Sequence, residues 1–432
     1  MRASVPPGGG VVRLGPLSLI VPVALAGFVL AASTVPADGW PTTALLSLGS
    51  GMVAVSLMAL AAVLGARWKP VESLFGGLDR VYETHKWLGV WALVFASVHL
   101  LFKAGAPGWE VAPIVQLPGP ATRFVRQAAF VALMVIVLLA LDRKIPYRTW
   151  RWWHKLSGPL FLVVVAHWLS IKSPVALASP AGGWLAGLSG LAVVAAAWKL
   201  LLYPALSRHA TYRLLAVASS GTAVYLRLAP ERRPLPFRPG QFAFLSFEHE
   251  GLREPHPFTI ASAQQSDGSI AFMVRASGDY TARLVAEARP GLVARVYAPF
   301  GRFTRAPEDG TDIWIAGGVG VTPFLAWLQD PDARGLERVT FFHFFTPGRE
   351  LPAGVDLPGL ARSRGVELVE VAGGPGDTRF RHRFAQLVAN AGPAGVRVRF
   401  CGPRGLLGAV RAVMRESGVP ENRLQHELFE FR

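Results

Sequence analysis

The stretch YETHKWLGVWALVFASVHLLFKAG, residues Tyr82–Gly105, decides how the rest of the chain is read. It is apolar and long enough to cross a bilayer, for which about 20 mainly apolar residues suffice. Yet it carries His85 near one end and His99 near the other. Ionisable groups at membrane depth are costly, and the default reading of them is a buried functional site. Its apolar part, Thr84–Lys103, has five counterparts: Val12–Ala32, Thr42–Ala66, Phe124–Leu141, Trp152–Ile171 and Trp184–Leu206. The 432 residues therefore divide into an apolar regime before about residue 207 and a globular one after it, long enough for two ordinary domains.

Charge placement orients the spans. Arg67, Lys69 and Arg80 lie between the second and third, and Arg143, Lys144, Arg148 and Arg151 between the fourth and fifth. The first connection holds no basic residue and the fifth only Lys172, while Arg123 and Arg126 run against the trend at the end of the third. By the positive-inside rule both termini face the cytoplasm of a multi-pass cell-membrane protein. That requires the first span to be retained rather than cleaved as a signal peptide, although Arg2 and Arg13 precede it. The net charge of +16 is spread over these loops and an Arg-rich surface without aromatic-interleaved basic motifs. Anionic lipid is the expected partner, and nucleic acid is not. Cys401, the single cysteine, excludes an intrachain disulfide and a thiolate cluster.

The two histidines of the opening stretch have matches in RWWHKLSGPLFLVVVAHWLSIK, where His154 and His167 again sit one near each end. A lone intramembrane histidine is more often a packing residue bonded to a neighbouring helix; two matched pairs are not. His85 and His99 are 14 residues apart, about 21 Å along a helix and within about 40° of one face. His154 and His167 are 13 apart, a rise of about 19.5 Å, but with ideal phases about 140° apart. A kink at Gly158-Pro159 would correct the phase. Both spans run outward, so His85 shares a depth with His154, and His99 with His167. Zinc requires three or four ligands, and these depths offer no carboxylate or thiol to complete a set. Two axial imidazoles suffice for a haem, which makes two stacked bis-histidine haems the sharp expectation. A proton relay is the rival use.

From Thr211 onward TYRLLAVAS, TAVYLRLAP, QFAFLSF, IAFMVRAS and LVARVYAPFG read as short strands of a small antiparallel barrel. Within it lie PGQFAFLSF (Pro239–Phe247), HPFTIAS (His256–Ser262) and VRASGDYTARL (Val274–Leu284). Gly278 and Asp279 end a strand, and the helical pattern from Tyr280 is expected to present free backbone N–H groups to a pyrophosphate. Next, DIWIAGGVGVTPFLAWLQD (Asp312–Asp330) reads as a strand, a glycine turn and a helix. Its Gly317, Gly318 and Gly320 are expected to admit a phosphate group close to the backbone. RVTFFHFF, VELVEVA and VRVRFCGP follow, alternating with helical segments, which predicts a parallel α/β sheet.

Taken together, these motifs resemble the ferric reductase and NADPH oxidase superfamily, and the resemblance covers nearly everything after about residue 40. It implies a multi-domain chain: a six-helix transmembrane bundle with two b-type haems (1–207), an antiparallel β-barrel FAD domain (208–306) and a parallel α/β nicotinamide-nucleotide domain (307–432). HPFT resembles the flavin motif, which implies that His256, Pro257, Phe258 and Thr259 line the FAD. GDYT resembles the pyrophosphate turn, implicating Ser277, Gly278, Tyr280 and Thr281, with Arg275 as charge partner. GGVGVTP and CGP resemble the nicotinamide-nucleotide motifs, which implies Gly317, Gly318, Gly320, Thr322, Pro323, Cys401, Gly402 and Pro403 at that cofactor. In HELFEFR, Phe429 matches an aromatic residue that covers the flavin in the family, with Phe431 in reserve. Thr259, Cys401 and Phe429 are the residues this assigns to hydride transfer. Arg349 is the one basic residue in TPGRELP, after RVTFFHFF, and it favours NADPH over NADH because arginine suits phosphate.

The implied activity is electron transfer from cytoplasmic NAD(P)H through FAD and both haems to an outer acceptor, either dioxygen, giving superoxide, or ferric or cupric chelates. Two other readings compete with it. One is an electron-transfer subunit for a periplasmic partner protein, and the other a nucleotide-gated transporter or proton channel.

Overall fold

The computed structural model describes residues 14–34, 42–102, 114–142, 144–145, 147–305 and 310–427. They fall into two compact units that divide between Leu206 and Ser207.

Among the described residues the first unit is helical: α1 (Pro16–Ala32), α2 (Thr42–Gly65), α3 (Lys69–Phe75), α4 (Leu78–Leu101), α5 (Gly119–Leu141), α6 (Tyr147–His154), α7 (Ser157–Ser170), α8 (Pro180–Ala197) and α9 (Tyr203–Leu206), with a π-helical turn at Trp198–Leu202 joining the last two. Its polarity is inverted relative to a water-soluble bundle. On α1, Leu17, Val21, Leu25 and Val29 form a stripe that is 50–67% exposed, while α2 buries Ser47, Ser50 and Ser56. Small residues let the backbones close, as they do between helices in lipid. A Cβ on Gly27 would lie 2.6 Å from Val53 Cγ2, and one on Gly49 would collide with the Phe28 ring. By length and composition α2, α5 and the run Pro180–Leu202 are long and apolar enough to cross a membrane, and α1 is a shorter apolar helix.

Two of the expected spans take a different form. The opening stretch belongs to α4, which starts earlier and carries Asp79, Arg80, Glu83 and Lys86 in its first turns. The fifth is not one kinked helix but two, with Lys155 and Leu156 between α6 and α7. Pro159 explains where the break falls. It lacks the N–H that would bond the carbonyl four residues earlier, that of Lys155, and its ring crowds the same group.

The second unit begins with β1 (His209–Ser220), β2 (Ala223–Pro230), β3 (Phe242–Phe247), β4 (His256–Thr259), β5 (Ile270–Arg275), α10 (Asp279–Glu287) and β6 (Val293–Phe300). These strands form an antiparallel sheet in the order β4-β3-β6-β1-β2-β5. It curls nearly into a barrel, because the chain just past β4 reaches the far edge: Ile260 bridges Phe272 and Ala261 N–H donates to Ala271 O at 2.8 Å. Alternating residues such as Val224, Leu226 and Leu228 fill its core.

After it come β7 (Thr311–Gly317), α11 (Thr322–Gln329), β8 (Val339–Phe345), α12 (Leu357–Ser363), β9 (Glu367–Ala372), α13 (Thr378–Ala391), β10 (Val396–Cys401), α14 (Arg404–Glu416) and β11 (Leu424–Glu427). The strands are parallel, in the order β11-β10-β7-β8-β9. Runs such as FFHFF are buried on both faces, as helices on each side of a parallel sheet require. The order reverses beside β7, so the crevice for a ligand opens at the carboxyl ends of β7 and β10. Barrel and sheet are joined where Trp327 Nε1 donates to Pro239 O at 3.0 Å. Gly240 at that turn has φ +91, and a Cβ on it would collide with Phe303 O.

Candidate functional site

The helical unit brings the four histidines together in the pairs expected from their depth. Ring centres of His85 and His154 are 5.7 Å apart, and those of His99 and His167 6.4 Å. With metal–nitrogen bonds of about 2.0 Å, two imidazoles on opposite sides of one metal hold their ring centres about 6 Å apart. The break at Lys155-Leu156 removes the phase conflict, since a continuous helix would turn His154 and His167 about 140° apart. On α4, His85 Nδ1 donates to Ala61 O at 2.8 Å and His99 Nδ1 to Ser47 O at 2.7 Å. A carbonyl can only accept, so Nδ1 carries a proton, and the neutral form of such a ring offers Nε2 as its metal-binding lone pair. His154 stacks on Trp150 at 5.2 Å. Among the described residues the Nδ1 atoms of His154 and His167 are buried with no protein partner, and no group of three histidine, cysteine or acidic side chains gathers as a zinc site would need. Two imidazoles per level, with no third such donor gathered beside them among the described residues, is a donor set that fits a haem.

In the barrel, the two motifs assigned to the flavin meet through a ring stack. His256 and Tyr280 lie 3.7 Å apart and 14° from parallel. His256 Nδ1 donates to Glu254 O at 3.0 Å, Tyr280 OH to Leu252 O at 3.3 Å, and burial pushes the phenol above its ordinary pKa. Pro257, Phe258 and Thr259 pair with β3 through Phe244, Ala243 and Phe242. The turn before α10 departs from expectation, because its N–H groups are not all free. Ser277 and Gly278 both donate to Thr281 Oγ1, at 2.9 and 3.0 Å. A threonine three residues into a helix satisfies such donors locally, so a phosphate oxygen there must share them or displace that hydroxyl. Arg275 also departs: its guanidinium donates to Arg349 O at 3.0 Å and to Thr222 Oγ1 at 3.4 Å, which sets it beside Arg349. Burial and the Arg349 charge lower its pKa.

At the parallel sheet the glycines divide their work differently from the sequence reading. A Cβ on Gly317 would lie 2.7 Å from Pro403 Cδ, and one on Gly320 would collide with Cys401 O. These two glycines, with Gly402 packed on Gly317, let the two nicotinamide motifs close on each other. Only Gly318 is open, at φ +55 with nothing within 4 Å of its Cβ position. Thr322 and Pro323 are buried at the start of α11, Thr322 Oγ1 donating to Val319 O. Cys401 is fully buried in register with Glu427, and burial, then the Glu427 charge, pushes its thiol well above the ordinary range. Phe429 and Phe431 lie outside the described residues.

The sequence reading missed His343, although a histidine inside FFHFF is itself a signal. It is 2% exposed and its Nε2 lies 3.4 Å from Gly318 O, under the open glycine. Burial pushes its pKa from 6.5 down to about 4. The imidazole is therefore neutral when folded, and its contribution to stability is complete above pH 6.5 and lost as pH falls toward 4. A gap of that size amounts to about 3 kcal/mol. Replacing His343 with Phe should flatten the fall in thermal stability between pH 7 and pH 5 on the full chain, followed by tryptophan fluorescence. An unchanged acid slope would assign that sensitivity to other groups.

The fold joins a helical unit that pairs four histidines to a barrel-and-sheet module that carries the HPFT and GDYT motifs. Residues 50–165, which include three of the four histidines, match the ferric reductase like transmembrane component, and residues 210–292, which include HPFT and GDYT, match an FAD-binding domain. Together the two matches support a likeness to the ferric reductase and NADPH oxidase superfamily. It is 28% identical to a flavohemoprotein of Pseudomonas putida over 44% of this chain and 50% of that one. It is 26% identical to a probable cell surface ferric reductase of Aspergillus oryzae over 60% of this chain and 33% of the relative, and 29% identical to NADPH oxidase 3 of Rattus norvegicus over 31% and 27%. The chain spans about half the length of the first of these relatives.

Proposed function

We propose that this chain carries electrons across a membrane, from NAD(P)H at a cytoplasmic flavin module (208–306 and 307–432) through two histidine-ligated haems in a six-span unit (1–207) to an acceptor on the opposite side. The observation that carries this reading is the equal-depth pairing of His85 with His154 and His99 with His167. FAD and the haems, when bound, supply the change from two-electron to one-electron chemistry, while the protein supplies placement and tuning. His85, His154, His99 and His167 would hold the metal through their imidazole nitrogens. The His256–Tyr280 stack makes a rigid wall for the flavin, with Thr259 at the end of its strand. Gly318 opens the backbone toward the nucleotide. Cys401, kept as a neutral thiol, gives the nicotinamide a small uncharged neighbour, and Phe429 is the aromatic residue that covers the flavin until nicotinamide displaces it. Arg275, whose guanidinium donates to Arg349 O, and Arg349 would supply the cations that a 2′-phosphate calls for, which favours NADPH.

The test is a spectrum of the purified, cofactor-loaded chain under NADPH without oxygen, followed by dioxygen, ferric citrate or a cupric chelate. Flavin bleaching and then reduced-haem absorption are expected, with reoxidation by an acceptor. Sensitivity of the product signal to superoxide dismutase separates dioxygen from metal chelates. Purified protein that takes up neither flavin nor haem would sink the proposal and favour a nucleotide-gated transporter.

A further inference from the structure

Helix α2 carries one short pattern twice. Ser47 and Gly51 are four residues apart, Ala61 and Gly65 are four apart, and the second pair follows the first by 14 residues, the spacing of His99 and His85 on α4. Each histidine bonds the carbonyl at the head of one pair: His99 to Ser47 O at 2.7 Å and His85 to Ala61 O at 2.8 Å. A helical carbonyl already receives the N–H four residues on, so a second donor must reach it past that residue. A glycine there leaves the way open.

The two levels differ in how much they need it. A Cβ at Gly51 would lie 2.8 Å from His99 Nδ1 and 3.1 Å from its Cε1, closer than real Cβ contacts come. A Cβ at Gly65 would lie 3.8 Å from His85 Cε1 and 3.9 Å from Nδ1, ordinary contact. The hydroxyl differs too. Ser47 Oγ donates to His99 O at 3.1 Å and sits 3.2 Å from His99 Nδ1, whereas Ala61 has no polar side chain to offer His85. From these distances we infer that Gly51 and Ser47 are positioning residues for the outer histidine, and that the two levels of the site are inequivalent by construction. The inference rests on the two-haem reading above. A ring whose Nδ1–H faces two oxygens is a more basic ligand than one facing a single carbonyl, and a more basic imidazole favours the oxidised metal.

The experiment uses the full chain loaded with haem, with Gly51→Ala, Gly65→Ala and Ser47→Ala compared by pyridine haemochrome stoichiometry, redox titration and the low-spin haem resonance. Flavin content and helical circular dichroism serve as folding controls. Gly65→Ala should keep two haems and both potentials. Gly51→Ala should fall from two haems to one, or keep two with the resonance of one altered. Ser47→Ala should keep two and raise one potential only. Wild type with two haems, together with Gly51→Ala matching Gly65→Ala in stoichiometry, potentials and resonance, overturns this inference and leaves the functional reading intact. Wild type that binds no haem defeats both.

Discussion

His99→Leu and His167→Leu are each expected to bind one haem where the wild type binds two, and to lose delivery of electrons to any external acceptor. His85→Leu and His154→Leu should give the same stoichiometry at the other level. Leucine fills much of the ring's volume, so the helices stay packed, but it offers no lone pair. Loss of a partner that merely orients a ligand costs about 10–100-fold at metal sites, and loss of the ligand itself should exceed that. Flavin reduction by NADPH does not pass through these residues and should continue at its normal rate. The distinction lies in the second pair. Among the described residues His154 and His167 have no protein hydrogen bond at Nδ1, so no bonding role seen there would account for a strong effect apart from holding a metal. Retention of two haems in any one of the four variants would remove that histidine from the ligand set.

The pairing was legible because it depends only on helical rise, which sequence separation fixes directly. Phase was not, since a small break resets it. The break was still half-visible: Pro159 could be read from the sequence, but the disrupted group is the carbonyl four residues earlier, which moves the interruption to Lys155-Leu156. The start of α4 was hidden for another reason. Asp79, Arg80 and Glu83 read as a connection by composition, yet an apolar face continues through them at Leu78, Val81 and Leu88.

In the second unit, strands and motifs were legible from alternation and glycine turns, whereas the partners of those motifs were not. Nothing local to Gly317 and Gly320 indicates that Cys401 and Pro403 occupy the space beside them. Arg275 read as a flavin residue because it adjoins GDYT; its partner Arg349 is 74 residues away. Tertiary neighbours at such separations leave no local periodicity to detect.

The same blindness hid the ion network under the parallel sheet, and it carries the largest expected effect on stability. Arg399 is 2% exposed, and its Nε donates to Asp312 Oδ1 and Oδ2 at 3.0 and 3.2 Å, across 87 residues of sequence. Its Nη1 donates to Gln425 Oε1 at 2.7 Å and its guanidinium lies 5.5 Å from the Trp327 ring. Arg305 approaches the same carboxylate at 3.4 Å while donating to the carbonyls of Arg334 and Gly335. One carboxylate thus serves two buried guanidiniums. Asp312→Ala leaves both cations without it in a largely buried place, and breaking a buried pair in this way costs about 3–5 kcal/mol. For a unit of this size that corresponds to a fall of roughly 6–20 °C in Tm. Trp314 and Trp327 flank the network, so tryptophan fluorescence of the full chain reports it. Haem content, held in the other unit, should not change. Asp312→Leu combined with Arg399→Leu should cost less than the two single changes added together, because it leaves one fewer uncompensated charge. Additive losses would mean that each side chain acts through packing alone and that the ion pair itself contributes nothing to holding β7 against β10.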